Sequence, residues 1–96
     1  MNLNGIREEI ERILYPYLTV NSETGTKGEK EAEAFLLETL GGMEYFQRNP
    51  GHYGAFPIPG DPLSRSVCWG LVRGECERTV ILMHHYDVVN IEDFKT

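Results

Sequence analysis

Thr79-Val80-Ile81-Leu82-Met83-His84-His85-Tyr86-Asp87 is the stretch on which the fold turns. Its opening run, residues 79–83, is apolar and begins with β-branched side chains. Such a run reads as a strand buried on both faces. The carboxyl end of that strand delivers His85 and Asp87 to the sheet edge where ligands collect in open α/β folds. In extended chain, residues i and i+2 point the same way. Asp87 is therefore placed to accept a hydrogen bond from one nitrogen of His85, leaving the other free for a metal. A carboxylate in that position fixes the tautomer and raises ligand basicity. The same triplet also fits a plain capped turn after a strand.

Working back from this stretch, residues 67–72 form a second strand pattern, expected to pair with 79–83 as a hairpin whose turn lies around Gly74. Residues 49–66 read as a long connection with four prolines and three glycines. Connections of that length tend to be functional or to belong to larger assemblies. Residues 43–46 are a short strand candidate. Upstream, Thr26-Lys27-Gly28-Glu29 matches a capping box, with the Thr26 hydroxyl expected to accept from the backbone of Glu29. The helix it opens turns Ala32, Phe35, Leu36 and Leu40 inward, presents an acidic, solvated face over 29–38, and stops at Gly41-Gly42. Ile6, Ile10, Ile13, Leu14 and Tyr17 share one face of an earlier helix. Glu8 and Glu9 are expected in its first turn, and Pro16 should end or kink it near Tyr15. A turn-rich link, 18–25, joins the two helices.

The order is helix, helix, strand, long loop, hairpin. Two short helices cover one face of such a sheet, but not both faces and both edges. The 96 residues are therefore expected to be the N-terminal part of a larger α/β domain. The alternative is a small α+β domain whose last strand pairs with another copy of itself.

A net charge of −6 and the lack of a basic stripe argue against a nucleic-acid partner. The apolar runs are too short to span a bilayer, and Met1-Asn2-Leu3-Asn4-Gly5 lacks the basic start and apolar core of a signal peptide. Cys68 and Cys76 have neither zinc-knuckle nor redox spacing. They read as two unbridged thiols, which fits a cytoplasmic protein. His52 reads as a surface-loop histidine. Ser64 and Ser66 lack a nucleophile elbow around them. Trp69 and Tyr86 read as packing residues, and neither a phosphate loop nor a dinucleotide fingerprint is present.

Three segments, in order, carry a further reading. The first runs Leu18-Thr19-Val20-Asn21-Ser22-Glu23-Thr24-Gly25-Thr26-Lys27-Gly28-Glu29 and holds a Ser-x-x-Gly-Thr-x-x-Glu pattern opening a helix. The second is the loop Pro57-Ile58-Pro59-Gly60-Asp61-Pro62-Leu63-Ser64-Arg65. The third is His85-Tyr86-Asp87-Val88-Val89 at the end of the apolar run. Together they resemble the zinc-dependent peptidase and deacylase family of aminoacylases, acetylornithine deacetylases and dipeptidases, and most nearly its arginine-utilisation branch. The resemblance spans nearly the whole chain. It implies a mixed, mainly parallel sheet between helices, with residues 1–96 as the N-terminal portion of a metallopeptidase-like catalytic domain holding two zinc ions.

On this resemblance His85 falls on a zinc ligand. Asp87, the candidate catalytic carboxylate, falls on the aspartate that orients that histidine. His84 stands where relatives commonly carry glycine and has no ligand role. The bridging aspartate, the catalytic glutamate with its neighbouring carboxylate and the remaining ligands are expected beyond Thr96. Glu92 and Asp93 match a surface turn instead. The implied reaction is hydrolysis of an amide bond in an N-acyl amino acid or short peptide by a metal-activated water. The implied partners are a small-molecule or peptide substrate and, for the parent protein, a second copy in a homodimer. The 96 residues alone are expected to be inactive, since they supply one ligand where zinc needs three or four. The competing function is a non-catalytic domain that self-associates through its apolar strand edge.

Overall fold

The computed structural model describes residues 2–90. It contains helix α1 (Leu3–Leu18), helix α2 (Gly28–Gly41), a short helix α3 (Glu44–Arg48), a 3-10 turn (Pro50–His52) and strands β1 (Tyr53–Pro57) and β2 (Ser66–Gly70). The strands form one antiparallel two-stranded sheet. The architecture is thus a small mixture of helices and an antiparallel sheet.

Asn2 starts α1: its Oδ1 accepts from the backbone N–H groups of Asn4 (3.1 Å) and Gly5 (3.2 Å). This early start leaves the first turn without an acidic residue, so Glu8 and Glu9 lie beyond the position expected for them. The helix also runs past Tyr15, through Pro16, to Leu18. Pro16 sits in the last turn. There its carbonyl accepts from the Thr19 backbone N–H (3.1 Å) and the Thr19 hydroxyl (2.6 Å), which closes the helix.

The start of α2 differs by one position from a capping box on Thr26. The Thr26 hydroxyl donates to the Glu23 carbonyl (2.7 Å) and accepts from the Gly28 N–H (3.2 Å). The Glu29 N–H goes to the Thr26 carbonyl instead, and the Glu29 carboxylate reaches back to the Gly25 N–H (2.7 Å). Gly28 is required here, because a Cβ would lie 1.8 Å from the Asn21 carbonyl oxygen.

The core lies where α2 and α3 meet the sheet. Ala32 and Phe46 are its buried apolar residues among those described. Phe46 packs edge-on to Tyr45 (ring centroids 5.2 Å apart) and against Tyr53 (5.3 Å). Gly41 leaves room for the Tyr53 hydroxyl, which a Cβ would approach to 2.8 Å. α1 touches α2 through Tyr17 stacked on Phe35 at 5.5 Å, while Ile6, Ile10 and Leu14 on its apolar face stay exposed.

Three expectations are corrected. Residues 43–46 are not a strand: Glu44–Arg48 is helical, with an exposed Glu44–Arg48 ion pair one turn apart. Residues 49–66 are not an open connection, because Tyr53–Pro57 is the strand that pairs with β2, in the register Tyr53↔Gly70 to Pro57↔Ser66. Residues 79–83 do not pair with β2 and have no regular secondary structure. Val80, Ile81, Leu82 and Met83 are 77–91% exposed. A strand forms only against a partner that takes its backbone N–H and C=O groups. β2 takes β1 on one edge, and among the described residues nothing pairs with 79–83. Cys68 and Cys76 are both free thiols, and Cys68 stands opposite Ala55.

The radius of gyration, 15.6 Å, exceeds the value of about 13 Å expected for a compact chain of this length. The excess fits a structure in which residues 71–85 lie open. Among the described residues no helix is long and apolar enough to cross a membrane.

Candidate metal-ligand site

The three segments that carry the family resemblance meet in space. Residues 22–24 lie parallel to residues 86–88: the Val88 N–H donates to the Ser22 carbonyl (2.9 Å) and the Thr24 N–H to the Val88 carbonyl (2.9 Å). The Ser22 hydroxyl adds a bond to the Tyr86 carbonyl. The Pro-rich loop joins from the other side. Its Arg65 spans the Asp61 carboxylate, with Nη2 at 2.6 Å, and the Glu29 carboxylate, with Nη1 at 3.0 Å. Lys30 donates to the Ser64 carbonyl (2.8 Å) and lies 3.1 Å from Glu33 Oε2. That oxygen has no partner in good hydrogen-bond geometry, so its contact with Lys30 is an ion pair only. The Tyr86 hydroxyl donates to the Ser66 carbonyl (3.0 Å).

This network corrects the reading of 29–38 as a solvated face for Glu29 and Glu33, while Glu31 and Glu38 are exposed. Glu29 and Glu33 are 6% and 7% exposed. Buried carboxylates need paired charges, and Arg65 and Lys30 supply them. Hydrogen bonds from the Arg65 side chain and backbone pull the Asp61 carboxyl down to about 2, and the Arg65 guanidinium is held firmly charged in return. Burial, reinforced by the nearby Cys68, Glu33, Glu29 and Tyr17, pushes the Tyr86 phenol up to about 12. Burial, and then Glu33, also raise the Cys68 thiol.

At the end of this framework His85 Nδ1 lies 2.9 Å from Asp87 Oδ1 and 3.0 Å from the Asp87 carbonyl oxygen. Both are acceptors while Asp87 is ionised, so Nδ1 carries the proton. Asp87 favours that ionised state. A hydrogen bond from the Thr24 hydroxyl, opposed by desolvation and reinforced by His85, holds its carboxyl below the usual range. The neutral imidazole then keeps its lone pair on Nε2, and the side chain is 87% exposed. His85 thus presents one oriented, solvent-exposed nitrogen. Among the described residues no group of three His, Cys, Asp or Glu side chains could hold a metal. These residues fit one ligand of a zinc centre with its supporting carboxylate, and no reaction step is carried by them alone.

The other histidines are engaged elsewhere. His84 Nε2 is 3.2 Å from the Tyr17 hydroxyl on α1. His52 Nδ1 is 2.9 Å from the Tyr45 hydroxyl, which accepts the Arg73 N–H at 3.0 Å. Glu92 and Asp93 lie outside the described residues. Sequence reasoning passed over Ser22 and Thr24 as partners of the site. The signal was present: both belong to the first of the three segments.

Comparison with known proteins gives two relatives from Bacillus subtilis (strain 168). The chain is similar to Protein RocB, 36% identical over 89 residues, which is 91% of this chain and 16% of that protein. It is also similar to the uncharacterized protein YqjN, 33% identical over 89 residues, or 92% of this chain and 16% of that one. The chain spans about a sixth of the length of these curated relatives. No family model and no solved structure matches it.

Proposed function

We propose that the full protein is a metal-dependent hydrolase of amide bonds in N-acyl amino acids or short peptides, with a role in arginine utilisation. The observation that carries this reading is the His85–Asp87 pair, with Nδ1 engaged at 2.9 Å and the imidazole otherwise open. Its position fits a histidine ligand better than a capped turn, because a turn does not require an exposed ring with a fixed tautomer. In this reading the chain is the N-terminal part of a catalytic domain whose mainly parallel sheet is completed by further strands, in a cytoplasmic protein. The parallel pairing of 22–24 with 86–88 supports that sheet direction.

His85 would hold one of two zinc ions and Asp87 would orient it. The remaining ligands and the general base would come from residues after Thr96. Zinc, when bound, supplies a water that ionises near neutral pH and polarises the substrate carbonyl. The role of the chain's own residues is to bind and orient, with Asp87 keeping the His85 Nδ1 proton in place.

The test is metal analysis and hydrolysis assays on the full protein with a panel of N-acyl amino acids and dipeptides. His85→Ala should remove tight zinc binding at one position and most of the hydrolysis. Unchanged metal content and unchanged activity in that variant would sink the proposal. One observation favours a second reading, a self-associating domain: the 77–91% exposure of residues 80–83 offers an unpaired apolar edge. Sedimentation of the Leu82→Asp variant separates the two. Loss of a dimer with no metal dependence would favour the second.

A further inference from the structure

We propose that Thr24 is the positioning residue of this site, fixing Asp87 so that Asp87 can fix His85; the inference rests on reading His85 as a metal ligand. The two oxygens of Asp87 are divided between two partners. Oδ1 is 2.9 Å from His85 Nδ1, and Oδ2 accepts from the Thr24 hydroxyl at 2.8 Å. A hydroxyl has one proton to give. The Thr24 Oγ1 also lies 3.1 Å from the Val88 carbonyl, so the carboxylate is the nearer acceptor.

The need for such a residue follows from exposure. His85 is 87% and the Asp87 side chain 35% exposed, and one polar contact on open surface does not hold two side chains in one geometry unaided. Thr24 is anchored where His85 is not. Its N–H donates to the Val88 carbonyl and the Ser22 carbonyl takes the Val88 N–H, just after Asp87, while the Ser22 hydroxyl donates to the Tyr86 carbonyl just before it. The hydroxyl transmits that fixed position to the carboxylate, and the carboxylate transmits it to the imidazole. A ligand on an open edge thereby acquires the orientation that burial would otherwise give it.

The experiment uses the full protein with 15N-labelled histidine. The His85 tautomer is read by NMR in the metal-free state, and zinc affinity is measured by competition with a chromophoric chelator. Thr24→Val keeps the shape and removes the hydroxyl, whereas Thr24→Ser keeps the hydroxyl. The wild type and Thr24→Ser should show His85 protonated at Nδ1. Thr24→Val should show a mixture with the Nε2-protonated form and bind zinc roughly 10-fold more weakly, the lower end of what an outer partner is worth. Unchanged tautomer and affinity in Thr24→Val, or failure of Thr24→Ser to restore them, would overturn the assignment. His85→Ala separates this outcome from failure of the parent reading. If zinc affinity survives His85→Ala while Thr24→Val still shifts the tautomer, the metal reading falls and the positioning role stands. If His85→Ala abolishes binding and Thr24→Val changes nothing, the positioning role falls alone.

Discussion

At the residue scale, the site depends on which side chain gives a proton to which. Asp87→Asn replaces an acceptor pair with an amide that can turn its NH2 toward His85, so Nδ1 would lose its reason to stay protonated. The variant should bind zinc about 10–100-fold more weakly in the full protein, measured by chelator competition. His84→Gly removes only the contact with the Tyr17 hydroxyl and should leave zinc affinity unchanged in the same assay. The i, i+2 spacing of His85 and Asp87 made their hydrogen bond legible from the sequence, since extended backbone alone brings the two side chains together. Thr24 was not legible, because its contact with Asp87 spans 63 residues and depends on a strand pairing that no local pattern encodes. The burial of Glu29 and Glu33 was hidden for the same reason: their cationic partner Arg65 arrives from a distant loop.

At the element scale, α1, α2 and β2 were readable, whereas α3 and β1 were not. α1 and α2 announce themselves by apolar spacing, and tertiary contacts only adjust their ends. β1 is Tyr-Gly-Ala-Phe-Pro, where Gly and Pro weaken the strand signal, and its identity comes from pairing with β2. α3 places aromatic residues side by side, which resembles a strand until Phe46 is seen to fill the space between α2 and the sheet. Two predictions belong here. Gly28→Ala should destabilise the fold by more than the few tenths of a kcal/mol of a surface change, because a Cβ 1.8 Å from the Asn21 carbonyl forces the 18–27 link away from α2. Thermal unfolding checks it, with Gly74→Ala, a position with open space around it, as the control. The second concerns acid. The Asp61 carboxyl is lowered from 3.8 to about 2 in the fold, so its stabilisation is complete above about 4 and is lost as pH falls through about 2. Denaturant titrations from pH 5 to 2 should show the wild type losing more stability than Asp61→Asn, which lacks this titration.

At the scale of the whole molecule, the open run of residues 79–83 is the main departure from what the sequence led one to expect. The run reads as a buried strand paired with β2, and among the described residues it is neither buried nor paired. β2 pairs with β1 on one edge only, and the run stays exposed within residues 2–90. Leu82→Asp should therefore change the stability of the isolated 96-residue chain by less than about 0.5 kcal/mol, as at other surface sites. In the full protein the same substitution should cost several kcal/mol if further strands bury the run. Equal effects in the two unfolding curves would count against a larger sheet. Calorimetry on the isolated chain should likewise find only weak zinc binding, because one histidine and one supporting carboxylate do not enclose the ion. Submicromolar binding abolished by His85→Ala would show a complete site instead.

The pairing of residues 22–24 with 86–88 also bears on how the chain is made. Thr24 and its acceptor on Val88 are 64 positions apart. A ribosome adding about 5–20 residues per second needs roughly 3–13 s to cover that interval. Throughout that time Ser22 and Thr24 are already synthesised and have nothing to bind. The Asp61–Arg65 loop and the β1–β2 hairpin, closed by shorter separations, can form while they wait. The His85–Asp87 pair thus joins a surface that earlier folding has prepared. A nascent chain stalled before residue 86 should carry the helices and hairpin, yet leave the Thr24 amide open to hydrogen exchange.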